Sequence, residues 1–308
     1  MREKLFYIVI FVILACGRLS GQPHPVSSLY MFDPMLINPA YAGVAVQFSA
    51  TFIHRDQWVN LPGAPKTSSL TLQSSFFQSR VGVGLALTND QIGIHDDIGI
   101  YATYAYHLPI SRTTKLSMGL QAGFNHLASD YTLLHVRVLS DPNLQSRITK
   151  MNPNFGAGLY YYGEQFYVGF GVPFLLENKI VDVEGVLSEA KQSRNYYLNA
   201  GYTFTPDQNF KVTPSILVRM QEGAPLGIDV NATASYKEIV GLGVSYRSSD
   251  AVIFLFQLKL FNNLHLGYAY DFTTSDLNQF SKGSHEILLN YRFQIPGIHK
   301  GLLCPAYF

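Results

Sequence analysis

Histidines are the first residues to test for chemistry, because their ordinary pKa lets them move protons or bind metal near neutral pH. His107, His126 and His265 are the candidates. A lipase-like site would need one of them to meet a serine and an orienting polar group at the same height of a sheet, and nothing in the sequence assembles that set. His95-Asp96-Asp97, with Asp90 nearby, has donors for a cation but no defined ligand spacing, and reads as a solvated acidic loop. There is no H-E-x-x-H, no G-x-S-x-G, no phosphate-cradling loop and no paired cysteine. Gly82-x-Gly84 sits inside a strand pattern with no helix after it, where small residues relieve crowding in a curved sheet. The expectation is a protein that is not an enzyme and holds neither metal nor cofactor.

What remains is the chemistry of recognition, concentrated between Tyr30 and Gly43. Asp33-Pro34 and Asn38-Pro39 each place a capping side chain before a proline. That pattern predicts two one-turn helices, over 34–37 and 39–42, with Gly43 as the stop. Met31, Phe32, Met35, Leu36, Ile37 and Tyr41 make the faces of these turns too apolar for water, so the segment must dock. Two readings stay open at this point, a lid over an apolar rim and a contact for a partner. A second cluster follows in Arg55-Asp56-Gln57-Trp58, ahead of a Pro62 to Pro65 turn. It lies at one rim, either as an interfacial anchor or as a contact for partner or plug. The residues carried forward are Met31, Phe32, Asn38, Pro39, Tyr41, Gly43, Arg55 and Trp58.

The elements that must position them alternate with period two. Leu116, Met118, Leu120, Ala122 and Phe124 interleave with Ser117, Gly119, Gln121, Gly123 and Asn125, and Ile228 to Tyr236 repeats the scheme. Such alternation makes strands with one apolar and one polar face. About fourteen strands are expected, near 44–55, 67–76, 80–89, 97–109, 115–127, 154–162, 166–172, 195–204, 210–219, 226–236, 239–247, 251–260, 264–272 and 285–293. Tight turns at 163–164, 206–209, 237–238, 248–250 and 262–263 would share the periplasmic end. Longer connections at 88–97, 128–153, 173–194 and 272–284 would face outward. Pro214 should mark a bulge or a weakly paired position.

Only 14% of the 308 residues are charged, the net charge is +1, and there are 20 Tyr and 21 Phe against one Trp. The near-zero balance gives no case for nucleic acid. Low charge with many aromatics near strand ends suits an antiparallel transmembrane outer-membrane β-barrel, and an all-β soluble sandwich suits it less. The inward set mixes Arg55, Lys211, Arg219 and Lys259 with Asp97, Asp229 and Asp271, so no single-sign ring suggests ion selectivity. A fourteen-strand lumen could be closed by a modest plug, for which 22–42 at the periplasmic end is the candidate. Residues 1–21 read as a signal peptide and place the chain in the cell outer membrane, in contact with its lipid. Ile13 to Cys16 offers a lipoprotein box as a rival, and Cys304 is left as a single thiol, either free or paired between chains. The division is 1–21 signal, 22–43 docking segment, 44–293 barrel and 294–308 tail.

These residues also carry a family resemblance. Met31 to Gly43, Arg55 to Trp58 with Gly63 to Thr67, and the late blocks Gly267 to Phe272, Ser284 to Ile287 and Tyr291 to Phe293 resemble the PorP/SprF membrane proteins of the type IX secretion system of Bacteroidetes. The chain departs in having Asp33 where that family usually has Asn. The resemblance implies partners in the periplasmic ring of the secretion machinery, and a secreted cargo or adhesin exported or anchored at the surface, with gliding motility as a setting. The alternative from the barrel alone is a passive porin or small-solute transporter.

Overall fold

The computed structural model describes residues 26–44, 48–133, 147–178 and 192–293. The expected signal peptide, Cys16, and the tail with Cys304 lie outside them. Fifteen strands form one antiparallel sheet: β1 (Phe48–Asp56), β2 (Lys66–Phe76), β3 (Val81–Ile92), β4 (His95–Pro109), β5 (Thr114–Asp130), β6 (Arg147–Gly163), β7 (Phe166–Val172), β8 (Asn195–Tyr202), β9 (Phe204–Asp207), β10 (Phe210–Gln221), β11 (Gly227–Tyr236), β12 (Val240–Arg247), β13 (Ala251–Lys259), β14 (Leu264–Thr273) and β15 (Ser284–Phe293). β8 and β9 are two halves of one stave, since both pair with β10. Every stave pairs with its sequence neighbours, and β1 pairs with β15, so fourteen staves close into a barrel. Closure removes the unpaired edges that an open sheet would leave in lipid.

The alternation decides which side faces out. Met118, Leu120 and Phe124 are exposed on the outer wall, while Ser117, Gln121 and Asn125 are buried in the lumen. Exposed Phe, Leu, Val and Tyr recur on stave after stave, the apolar belt of a membrane-spanning barrel. Aromatic pairs mark one rim: Phe48 with Phe293 at 4.7 Å, Tyr202 with Phe204 at 4.6 Å, and Phe210 with Tyr236 at 4.9 Å between ring centres. No helix among the described residues is long and apolar enough to cross a membrane.

The two mouths differ. At one, which we call the short-turn end, the connections 77–80, 110–113, 164–165, 208–209, 237–239 and 260–263 are all brief. At the other, the long-loop end, lie 57–65 and 274–283, and there β5 and β7 also end. The tight turn 248–250 belongs to the long-loop end, contrary to the sequence reading, because successive connections alternate between the two ends and its neighbours 237–239 and 260–263 are at the short-turn end. The connection expected over 88–97 shrinks to Gly93 and Ile94. Its polar residues instead continue β3 and β4, where Thr67 donates to Asp90 at 2.8 Å and Asn125 to Asp97 at 2.6 Å. Pro214 stands beside the break at Thr203, where β8 gives way to β9 and the register to β10 shifts. Proline has no N–H to offer a ladder, so the break costs that position no bond.

Candidate functional site

Residues 26–44 run through the lumen itself. Leu29, Tyr30, Met31, Phe32, Met35, Ile37, Ala40 and Tyr41 are all buried there. The segment starts at the long-loop end, where Ser28 meets Arg55 and Glu286, and finishes at the short-turn end, where Gly43 N donates to Gln73 Oε1 at 3.0 Å. The sequence reading put a plug at one end only; the observed path crosses the whole lumen.

The two proline turns are short 3-10 turns, Pro34–Leu36 and Pro39–Tyr41. Asn38 caps the second, its Oδ1 accepting from Ala40 N at 3.0 Å while its Nδ2 donates to Leu159 O at 3.0 Å. Asp33 does not cap the first by its side chain, which corrects the expectation. Its carboxylate accepts from the Thr71 hydroxyl on β2 instead. A buried carboxylate takes the strong donor in reach, and the other oxygen, Oδ1, has no hydrogen bond. Burial pushes the Asp33 carboxyl up to about 7, against the pull of the Thr71 bond and of Arg292. Gly43 sits at φ +73, a left-handed conformation, and a Cβ there would stand 2.7 Å from Gly82 Cα.

One half of the lumen wall receives this segment by shape. A Cβ added at Gly82 would fall 1.8 Å from Ala42 O, at Gly119 2.3 Å from Ala40 N, at Gly158 2.0 Å from Asn38 Oδ1, and at Gly171 2.3 Å from Ile37 O. Inward glycines on β3, β5 and β7 thus admit the segment's backbone at contact distance, and Gly158 on β6 admits the Asn38 side chain. Relief of sheet crowding, the role expected for Gly82-x-Gly84, is replaced by this one. Ser117 Oγ donates to Ala40 O at 2.6 Å. Tyr160 meets Tyr41 edge to face at 5.4 Å and stacks on Tyr167 at 5.7 Å.

The other half receives it by charge. Arg55 Nη1 donates to Ser28 Oγ at 2.7 Å and to Glu286 Oε2 at 2.8 Å, and its Nη2 donates to Asp271 at 2.7 Å. Glu286 in turn accepts from Ser28 N at 2.8 Å, from Leu29 N at 3.0 Å and from the Ser27 hydroxyl. Arg247 Nε donates to Asp229 at 3.0 Å, and Arg219 Nη2 does so at 2.9 Å. Three guanidinium groups and three carboxylates therefore neutralise one another around Ser28. Below them an apolar core forms inside the barrel, where Leu29, Met31 and Phe32 pack with inward Ile53, Leu217, Ile253, Leu255 and Leu288. Each such large side chain contributes on the order of 1.5–3 kcal/mol when fully buried, before ordering costs.

Of the eight residues singled out from the sequence, Met31, Phe32, Asn38, Pro39, Tyr41, Gly43 and Arg55 are buried in this lumen. Trp58 is not with them. It is half-buried in the 57–65 loop at the long-loop rim, at φ +47, with its N–H on Ser284 Oγ at 3.1 Å. Arg247 and Glu286 escaped the sequence reading as members of the charge cluster. Their inward parity was visible, but their partners depend on the register across staves. The candidate metal loop is committed to protein contacts, with His95 on Ser129 at 2.7 Å, and no group of three potential ligands occurs among the described residues. His107, His126 and His265 stand on β4, β5 and β14.

No curated protein sequence matches the chain. Similar solved barrels include the CymD monoaromatic hydrocarbon channel, 14% identical with a TM-score of 0.49, covering 89% of this chain and 95% of that one. Omp33 of Acinetobacter baumannii is 10% identical with a TM-score of 0.48, covering 82% and 100%, and a KdgM porin is 11% identical at 0.42, covering 80% and 99%. Likeness at that level says nothing of what passes or binds here. The sequence does match, over residues 19–291, the family described as type IX secretion system membrane protein PorP/SprF, and the chain belongs to that family.

Proposed function

We propose that this protein is a plugged outer-membrane barrel that serves type IX secretion by holding a secreted cargo or adhesin, and not by conducting solutes. The observation that carries the reading is the lumen filled by residues 26–44, bonded at both ends and packed along its length. Fourteen staves without it would leave room between a side-chain-filled eight-stranded barrel and an open 16-stranded pore. Balanced charges in the lumen offer no ring for selecting ions.

In this reading residues 1–21 direct export, the long-loop end faces outward, and the short-turn end faces the periplasmic ring of the secretion machinery. The protein acts as scaffold and anchor, without catalysis. Two measurements on the full chain test it. Purified protein in planar bilayers should pass little steady current, and a tagged copy recovered from its native membrane should carry a secreted protein with it. A large open-pore current with no co-purified cargo would replace this reading with the porin one.

A further inference from the structure

We propose that the short-turn mouth is a docking site for an acidic stretch of a partner polypeptide. The inference deepens the proposed function and rests on it for the compartment from which the partner comes. Charge is divided unequally between the two ends of the barrel. Among the described residues, acids outnumber Lys and Arg at the long-loop end, and the reverse holds at the short-turn end. There Arg80, Arg112 and Lys237 stand exposed on the turns, and Lys115, Lys211, Lys259 and Arg292 stand on the strand ends just inside them. All seven lie on one unbroken arc of staves, from β10 through β15 and β1 to β5. The acids Glu164 and Asp207 of this end fall on the remaining staves, β6 to β9.

Two of the seven are matched on the arc. Lys211 is ion-paired with Glu238, and Arg292 is attracted by the buried Asp33 of the seated segment. For the other five, the described residues hold no acid within ion-pair distance. Lys115 Nζ donates to Ser79 O at 3.4 Å, beside Arg80, and Lys237 lies over the Tyr236 ring at 5.3 Å. Lys259 stands directly across the ladder from His265. Neighbouring like charges repel, so the arc keeps a positive potential that an anionic surface would relieve.

The direction of the side chains selects the partner. Lys115, Lys211, Lys259 and Arg292 have the parity of Ser117, Thr213, Gln257 and Asn290, which are buried in the lumen, so they face the barrel axis. Lipid headgroups surround the outer wall at this rim, where Phe48, Phe210 and Tyr236 stand with their ring partners. An anion that meets the axial cations must instead cross the mouth, as an extended acidic chain can and a bilayer cannot. The seated segment leaves the lumen by this same mouth, at Gly43. Complementary charge of this kind speeds encounter and fixes orientation more than it adds raw affinity, so salt should weaken the contact.

The purified full-length barrel in neutral maltoside detergent is titrated with acetyl-Glu-Ser-Glu-Ser-Glu-Ser-Glu-Ser-amide carrying an uncharged dye, and binding is read by anisotropy. The acidic peptide should bind saturably and its glutamine analogue about tenfold more weakly. Raising sodium chloride from about 50 to 300 mM should weaken the acidic peptide by a similar factor. Arg80→Gln with Arg112→Gln should cost about tenfold, and Lys259→Gln, on the axis, about threefold, with heat-modifiable migration kept. Lys66→Gln with Lys282→Gln, exposed at the opposite mouth, makes the same change of net charge as the first pair and should leave the affinity unaltered. Should Lys259→Gln fail to fold, the turn pair and the control pair decide the question. Equal binding of the two peptides, an equal loss in the control pair, full affinity in a folded Lys259→Gln, or displacement of the peptide by an equal concentration of dioleoylphosphatidylglycerol in the micelles would overturn the site. Failure of the peptide to bind beside retained cargo defeats this site alone, whereas absence of cargo beside retained peptide binding defeats the proposed function alone.

Discussion

The two halves of the lumen hold the same segment by opposite means. On β3 and β5 to β7 the wall has receded to glycine, and the segment's carbonyls and amides come to rest against bare backbone. On β1 and β10 to β15 the wall advances with Arg55, Arg247, Asp271 and Glu286, which grip Ser28 and its neighbours through charged hydrogen bonds. The first half recognises shape and tolerates no added atom. The second recognises polarity, and there the danger is a missing partner. The segment needs both, since Ile37 to Ala42 has little charge to offer and Ser27 to Leu29 has little bulk.

This contrast predicts unequal costs. The largest belongs to the charged half: Arg55→Ala strands Glu286 without its cation and leaves Asp271 only Arg247 at 3.6 Å, a loss of about 3–5 kcal/mol. It should appear as a lower urea midpoint of the detergent-solubilised barrel. An unchanged midpoint would mean that the ionic half does not hold the lumen together.

Next comes the shape half. Gly119→Val drives carbon into Ala40, 2.3 Å from its nitrogen for the Cβ alone, and should cost about 1–3 kcal/mol or more. Here the barrel should survive and the segment should not, seen as new protease cleavage between residues 26 and 44 and a steady bilayer current. A variant that stays resistant and closed would show that the glycines are dispensable. Asn38→Ala is smaller, about 1 kcal/mol for the lost cap, with faster amide exchange at Ala40 as its mark.

A further effect is one of pH. Seating raises Asp33 from 3.8 to about 7, so the seated state binds the proton more tightly than the released one. That contribution is full below about 4 and fades as pH rises through 7. Protease release of the segment should therefore quicken from pH 5.5 to pH 8, and Asp33→Asn should flatten the dependence. A profile in the variant as steep as in the parent would assign the effect to another group.

Much of the barrel was legible because lipid outside and polar lumen inside write themselves as period two. Leu116 to Asn125 carries both faces in its sequence, and the stave it predicts is there. The ends of β3 and β4 were not legible, since Asn89, Asp90 and Asp97 look like loop until Thr67 and Asn125 are seen to satisfy the carboxylates. The apolar face of the N-terminal segment was readable, and its need to dock with it. Its destination was hidden, because inward Ile53, Ile253 and Leu288 sit among outward apolar neighbours and break no pattern strongly. Glycines in a strand, likewise, do not say what will lie against them.

Closure of the ring brings Ser49 to Arg292 and Arg55 to Glu286, the pairing of greatest separation along the chain. Contacts of that kind form late, because so long a loop must lose its freedom before they repay it. The segment that fills the lumen is tethered to the same strand, β1, that makes this last seam. Its lodging and the sealing of the wall therefore have to be coordinated in time. A seam that zips early leaves the filler outside a finished cylinder, to be threaded through a mouth between β1 and its neighbours, and slow maturation of such a species is the kinetic signature this architecture carries.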